Sequence, residues 1–354
     1  MKKSIFLRIA VLVLVLGLIG LSFTGCKSAA SETTAAASET TAAASETTAA
    51  EGESVVVVGE GQLKDEYRFV MIPILVQAWF DIVRDASIRA ADQLGAALGT
   101  KITIDYQAPA QADVVQQNTL LEQAIASKPD GIAIDCNDVE ASLAIMYEAM
   151  DQGIPVVMYV ATTPVGETIP YVANDFYEMG EIVANELIDL MGEEFKVAII
   201  GGVPTNSAHS MRWDAQKAVF AQYPGIEVVA EAYDYDDVNK AQEEAAKIIA
   251  ANPDLDAFAV CDAAGPVGVG LALQEAGKVG EIKYIGIDDV PQLQELMKQG
   301  VLDLSICTRP NLIGEWCTTS LLMMNLGITP VFNFDTGIGY LTPDMLKAGE
   351  WPGY

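Results

Sequence analysis

Histidine is nearly absent from this chain of 354 residues: His209 is the only one. That removes every zinc motif needing two histidines, and any Ser-His-Asp or Cys-His reading rests on one residue. Positive charge is also scarce, with Lys+Arg at 20 against Asp+Glu at 49 and a net charge of -29. A nucleic-acid binder needs a basic surface to displace counterions from phosphate, so that class is excluded. What is present is apolar: 51% of the residues are hydrophobic and 19% charged. Such a chain buries a large core, and its length suits about two domains.

The N-terminus reads as an export address. Lys2, Lys3 and Arg8 precede an apolar run from Ile9 to Ile19, short for a membrane span. Phe23-Thr24-Gly25-Cys26 follows, and small residues before a single Cys resemble the lipobox of bacterial lipoproteins. That resemblance implies that residues 1–26 are a lipoprotein signal peptide and that Cys26 carries the lipid anchor. The usual Leu three places before the Cys is Phe23 here. Residues 31–50 repeat Ser-Glu-Thr-Thr-Ala-Ala-Ala. A coiled coil needs large apolar residues in each heptad, and this repeat has none. Residues 27–64 are therefore expected to be a disordered tether, reaching roughly 30–35 Å root-mean-square. Without residues 1–26 the chain is more acidic still and is repelled by anionic lipid, so contact with the membrane is expected through the lipid alone. The remaining cysteines, Cys136, Cys261, Cys307 and Cys317, sit in or beside apolar runs, where a buried free thiol is the commoner state.

From Tyr67 onward, short β-rich runs alternate with amphipathic stretches. Strands are expected at 67–75, 101–106, 131–135, 154–160 and 171–173, with helices at 80–98, 114–127, 141–152 and 175–191 between and after them. The cycle restarts with strands at 196–200, 227–232, 257–260, 283–287 and 304–307. Helices at 210–222, 239–251, 266–276, 291–299 and 311–326 accompany them. Two successive β-α-β runs give an α/β protein with two doubly wound parallel-sheet lobes, a three-segment hinge and a ligand cleft at the carboxyl ends of the strands. The expected division is 65–174 plus about 309–335 for one lobe, and 175–308 plus about 336–354 for the other. Hinge positions fall near Asn174–Asp175, Thr308–Arg309 and 335–337. Gly265, Gly268 and Gly270 have the wrong order for a dinucleotide fingerprint and suit close helix–sheet packing.

Several segments resemble the sugar-binding proteins of ABC importers, in the ribose-, galactose- and rhamnose-binding group. They are Trp79-Phe80 with Ala86, Ala90-Ala91 and Leu94-Gly95; Pro129-Asp130-Gly131-Ile132; Gly153-Ile154-Pro155-Val156-Val157; Val172-Ala173-Asn174-Asp175; Gly286-Ile287-Asp288-Asp289; and Thr308-Arg309-Pro310 with Gly314. The lac-repressor family shares that fold but carries a basic DNA-binding headpiece, which this chain lacks.

The resemblance implies a list of ligand contacts. Gln77, Trp79 and Phe80 occupy the turn after the first strand, where a flat ring covers a sugar's apolar face; core packing is the other reading of the two rings. Asp135, Asp262 and Asp288 stand at strand ends, where carboxylates accept paired hydroxyl hydrogen bonds; solvated strand ends or helix caps are the other reading. Asn174 and Thr308 fall on hinge strands. Tyr235 matches an aromatic that closes the cleft, and His209 and Ser210 open the second-lobe helix.

Two departures bear on the ligand. Val160-Ala161 stand where ribose-type proteins carry an Asp-Arg pair. His209-Ser210 stand where they carry a gripping Arg, with Arg212 two places on. The charged clamp is therefore expected to be missing, and three carboxylates with few cations suit a polyol or a ligand bearing positive charge. Ile72-Pro73-Ile74-Leu75-Val76 is similar to the first strand of a quorum-signal receptor, but Ile74 replaces that receptor's contacting Lys.

The expected function is a lipid-anchored extracytoplasmic receptor, a monomer at the cell surface or in the periplasm. It would capture a sugar or polyol by hinge closure and pass it to an ABC transporter permease. No cofactor, metal or catalytic residue is implied. A receptor for a quorum signal or nucleoside that feeds a signalling partner, and an exported enzyme, are the alternatives.

Overall fold

The computed structural model describes residues 61–351. The signal peptide, the Cys26 anchor and all of the tether except 61–64 lie outside the described residues. Among those described, no helix is long and apolar enough to cross a membrane.

The first lobe grows from strands β1 (Glu66–Ile72), β2 (Lys101–Tyr106), β3 (Gly131–Ile134), β4 (Val156–Tyr159) and β5 (Tyr171–Ala173), with β12 (Asn333–Asp335) returning late in the chain. All pair in parallel, in the order β12-β5-β4-β3-β1-β2. Successive side chains alternate faces. Tyr67, Phe69 and Met71 of β1 join Val157 and Tyr159 of β4 in one core cluster. Val70 and Ile72 join Ile132, Ile134, Val156 and Met158 in another. Helix α1 (Ala78–Leu98) packs tightly with the later helix α9 (Pro310–Asn325) on the first of these faces. Gly314 permits the approach, since a Cβ there would stand 2.2 Å from the Val83 carbonyl oxygen. Helices α2 (Val114–Ala126) and α3 (Val139–Asp151) cover the opposite face. The chain enters at the pole away from the strands' carboxyl ends, where the Gly61 N–H donates to the Leu326 carbonyl at 3.2 Å.

The second lobe is split. Strands β6 (Glu194–Gly201), β7 (Gly225–Tyr233), β8 (Ala257–Val260) and β9 (Lys283–Tyr284) form a parallel sheet ordered β7-β6-β8-β9. A smaller sheet holds β10 (Gly286–Ile287), β11 (Ser305–Cys307) and antiparallel β13 (Gly339–Leu341). The strand expected over 283–287 is thus two strands on two sheets, parted at Ile285. Lys283 N–H pairs with Asp256, whereas Gly286 N–H turns to Leu304. Helices α4 (Phe176–Met191), α5 (Ser207–Phe220), α6 (Val238–Ala251), α7 (Gly265–Ala276), α8 (Pro291–Lys298) and α10 (Pro343–Ala348) complete this lobe. Gly268 serves helix against helix rather than helix against sheet: a Cβ there would meet Ala241 Cβ of α6 at 2.4 Å. The chain passes between lobes after β5, after β11 and after β12.

The acidic composition is put to local use. Asp113, Asp138, Asp175 and Asp237 each cap a helix by accepting the backbone N–H three residues on, worth about 1 kcal/mol apiece. Cys136, Cys261, Cys307 and Cys317 are buried free thiols.

Candidate functional site

The carboxyl ends of the strands of both lobes converge on one small cavity, as open parallel sheets do at their binding crevice. It is lined by Gln77, Trp79, Phe80, Asp135 and Val160 from the first lobe, and by His209, Arg212, Asp236, Ala263 and Asp288 from the second. Its free volume is about 20 Å³.

On the first-lobe side, Gln77 caps α1. Its Oε1 accepts the Trp79 N–H at 3.1 Å, which starts the helix two residues before the expected Phe80. Both aromatic rings therefore lie in the first turn, edge to face with centroids 5.0 Å apart. The Trp79 indole donates to Thr308 Oγ1 at 3.0 Å. Thr308 in turn donates its N–H at 2.9 Å, and its hydroxyl, to Asp288 Oδ1. Asp135 Oδ1 accepts from Ala161 N–H and from Asn206 Nδ2, each at 3.1 Å. Its Oδ2 is buried without a partner.

On the second-lobe side, Asn206 caps α5 by accepting from Ala208 N–H at 3.0 Å. The helix starts at Ser207, three residues before the expected Ser210. His209 and Arg212, three apart, then share the face that meets the cavity. The expected absence of a charged clamp is corrected here: Arg212 is the buried cation of the site, 3% exposed. Its Nη1 donates to the Cys261 carbonyl at 2.8 Å, and its guanidinium lies 4.6 Å over the Phe176 ring. His209 Nδ1 accepts the Val203 N–H at 2.8 Å, so the ring proton sits on Nε2. Burial and neighbouring Arg212 hold its pKa down to about 3.

Asp234, Asp236 and Asp262 are packed together and buried. Asp236 Oδ1 and Asp262 Oδ2 both accept from Ala264 N–H at 3.2 Å, and Asp234 Oδ1 accepts from Asp236 N–H at 2.8 Å. Burial pushes all three carboxyls up, and repulsion from Asp262 raises Asp234 and Asp236 further. Burial also raises Asp135 and Asp288, with Arg212 partly opposing it. Among the described residues, no group of three or more His, Cys, Asp or Glu is placed to hold a metal.

Backbone strain gathers at the same place. Among the described residues, Val160, Tyr235, Asp236 and Asp288 are four of the five non-glycine residues with left-handed φ, at 59° to 62°. Each such conformation costs on the order of 1–3 kcal/mol and persists only where its surroundings hold it; a β-branched residue such as Val160 is especially unsuited to it.

Gln77, Trp79, Phe80, Asp135, His209 and Asp288 thus come together at the cavity, with Thr308 and Asp262 one contact behind. Three other sequence candidates are elsewhere. Asn174 donates to the Gly337 carbonyl, tying the first crossing to the third, and lines a separate groove with Thr162 and Asp335. Ser210 faces another pocket beside Trp213 and Tyr233. Tyr235 is 51% exposed and its neighbour Asp236 takes the cavity position. The sequence reading missed Arg212, Asp236 and Asn206. An Asn four residues before the expected helix start was the available signal for the first and third.

Contacts between the lobes cross this region. Gln77 Nε2 donates to Asp236 Oδ1 at 2.8 Å, Asn206 Nδ2 to the Cys136 carbonyl at 3.0 Å, and Thr205 Oγ1 to the Asn137 carbonyl at 2.6 Å. The Thr162 N–H donates to Ser207 Oγ at 2.9 Å.

Two parallel-sheet lobes, crossed three times by the chain and sharing a cavity at their strand ends, define the class of two-lobed binding proteins. The chain belongs to the periplasmic binding protein domain family, whose model matches residues 69–327. It is 26% identical over 239 residues to a xylose/arabinose-binding protein of Sulfolobus acidocaldarius, covering 63% of this chain and 59% of that one. It is 25% identical over 258 residues to the D-allose-binding periplasmic protein of Escherichia coli, covering 70% and 81%. Among solved structures, an ABC transporter solute-binding protein of Agrobacterium vitis, bound with alpha-D-tagatopyranose, superposes with a TM-score of 0.72. That pair is 26% identical, over 79% of this chain and 96% of the other.

Proposed function

We propose that this protein is an extracytoplasmic receptor that captures a sugar or polyol between its lobes and delivers it to an ABC transporter permease. It is tethered to the membrane by lipid at Cys26, acts as a monomer and catalyses no reaction. The observation that carries the reading is the cavity to which both lobes contribute. A ligand held there contacts both lobes only when they are together, so binding draws the hinge closed. The free volume of about 20 Å³ lies far below the roughly 300 Å³ of a small-molecule site, so a sugar enters after the lobes part. The relatives named above bind pentoses and hexoses, which supports the ligand class. His209 does not suit the role of a general base, because its Nδ1 is engaged by Val203 and burial disfavours its charged form.

A thermal-shift screen of the purified protein against pentoses, hexoses, deoxy sugars and polyols tests this. A ligand at a hundred times its dissociation constant adds about 2.7 kcal/mol, a melting shift of several degrees. X-ray scattering of the same ligand complex should show a smaller radius of gyration. A tightly bound sugar with no compaction would remove the hinge mechanism. No shift with any of them would remove the neutral sugar or polyol as the ligand class.

A further inference from the structure

The cavity is short of positive charge. Asp135, Asp236 and Asp288 line it, and Arg212 is the one cation among its lining residues. His209 adds no second cation, since its Nδ1 is occupied by Val203 N–H and it is buried beside Arg212. Two more carboxylates, Asp234 and Asp262, are buried behind Asp236. Arg212 acts on these carboxylates through its field but sits against none of them. It takes part in none of the ion pairs formed by the described residues, and its guanidinium is engaged by the Cys261 carbonyl and the Phe176 ring. Asp135 supplies a separate observation. It is fully buried, it lines the cavity, and its Oδ2 has no hydrogen-bond partner.

A buried carboxylate either keeps its proton or meets a positive group. A neutral hydroxyl supplies one donor and no charge. An ammonium supplies three donors and a full positive charge. The Trp79 and Phe80 rings, which line the cavity beside Asp135, also attract a cation to their faces.

We propose that the site selects a sugar or polyol bearing a protonated amine, an amino sugar or an amino-cyclitol, whose ammonium is held between Asp135 of the first lobe and Asp236 of the second. This rests on the reading of the cavity as the ligand site. The hydroxyls of such a ligand are left to Arg212, Asp288 and Gln77.

The test is calorimetric titration of the full-length protein at pH 7.5. The probes are 2-amino-2-deoxyhexoses and mono-amino-cyclitols, each run against its hydroxyl parent. An amine is expected to bind about tenfold or more tighter than its parent, the range of a charge-assisted hydrogen bond. Its arrival should also expel protons that the carboxyls hold in the free protein. The measured enthalpy of the amine, but not of the parent, will then vary with the ionisation heat of the buffer. Asp135→Asn keeps an acceptor for Ala161 and Asn206 but loses the charge, and should bring amine and parent to similar affinity. If that variant does not fold, proton release by the unaltered protein carries the test alone. A parent sugar binding as tightly as its amine, or an amine binding without proton release, overturns this inference and leaves the receptor reading standing. No binding by either kind of probe, together with no response to any neutral sugar, removes the receptor reading itself.

Discussion

The first lobe brings two aromatic rings, an amide and one carboxylate to the cavity. The second brings a guanidinium, an imidazole and two carboxylates, with two further aspartates behind them. Yet both lobes come from the same repeating unit of parallel strand and covering helix. The repeat fixes where the strand ends point, and the few residues just past each strand decide what chemistry they present. The first lobe offers mainly apolar surface, whose contribution is indifferent to protonation. The second offers charges whose contribution depends on it.

Breaking the aromatic wall should have the largest effect. Trp79 is 5% exposed and stacks edge-on with Phe80. Phe80, 3% exposed, has no polar group: Phe80→Ala is expected to cost about 3–5 kcal/mol of folding stability, read by chemical denaturation, and that loss should be nearly the same at pH 5 and pH 8. A strongly pH-dependent loss would show that the two lobes are not chemically distinct in this way.

The second lobe should instead carry two opposing pH terms. Unfolded, His209 titrates near its ordinary 6.5; folded, it is held down to about 3. The unfolded chain takes a proton that the folded one refuses, so this group removes stability as pH falls from about 6.5 toward 3. Asp289 has the opposite sign. Burial pushes it up to about 6 from 3.8, although the Trp351 indole N–H donates to it at 2.7 Å. The folded chain keeps a proton that the unfolded one releases, so stability falls as pH rises from about 4 to 6. Over its window the His209 shift is worth about 4–5 kcal/mol and the Asp289 shift about 3 kcal/mol. Subtracting the denaturation profile of His209→Gln from that of the unaltered protein isolates the first, and Asp289→Asn isolates the second. Differences of the same sign would contradict this account.

The smallest effect concerns the contact between the lobes. Thr205→Val removes the hydroxyl that donates to the Asn137 carbonyl across the cleft. The closed form should lose about 0.5–1 kcal/mol, a two- to fivefold change in the ratio of open to closed molecules. Scattering or a fluorophore pair spanning the cleft would report it.

Most of the fold was legible in the sequence because the buried parallel strands are apolar runs, several of them followed directly by Asp or Asn, and the long helices keep their period. The Lys283–Ile287 run misled, because strand periodicity does not say which sheet a residue joins. Only the hydrogen-bond partners of Lys283 and Gly286 do that. Residues beyond 326 form strands of three residues and a helix of six, too short to leave a period. At the site, residues directly after strands were found by position. Arg212 was overlooked because its direction depends on where α5 begins, and that start is set by the Asn206 side chain rather than by any apolar pattern. Asp236 was passed over for the larger Tyr235, although it is the carboxylate that reaches Gln77.

The attachment of Gly61 has a mechanical meaning. Gly61 is fastened to the end of α9, at the pole of the first lobe opposite the cavity, and β1 starts a few residues later. Both contacts lie within the first lobe. A force applied at Gly61 would enter the first lobe without passing through any of the three crossings. Were the proposed anchor to hold the chain, the first lobe would be the fixed jaw and the second the free one, and closure would be insulated from the load.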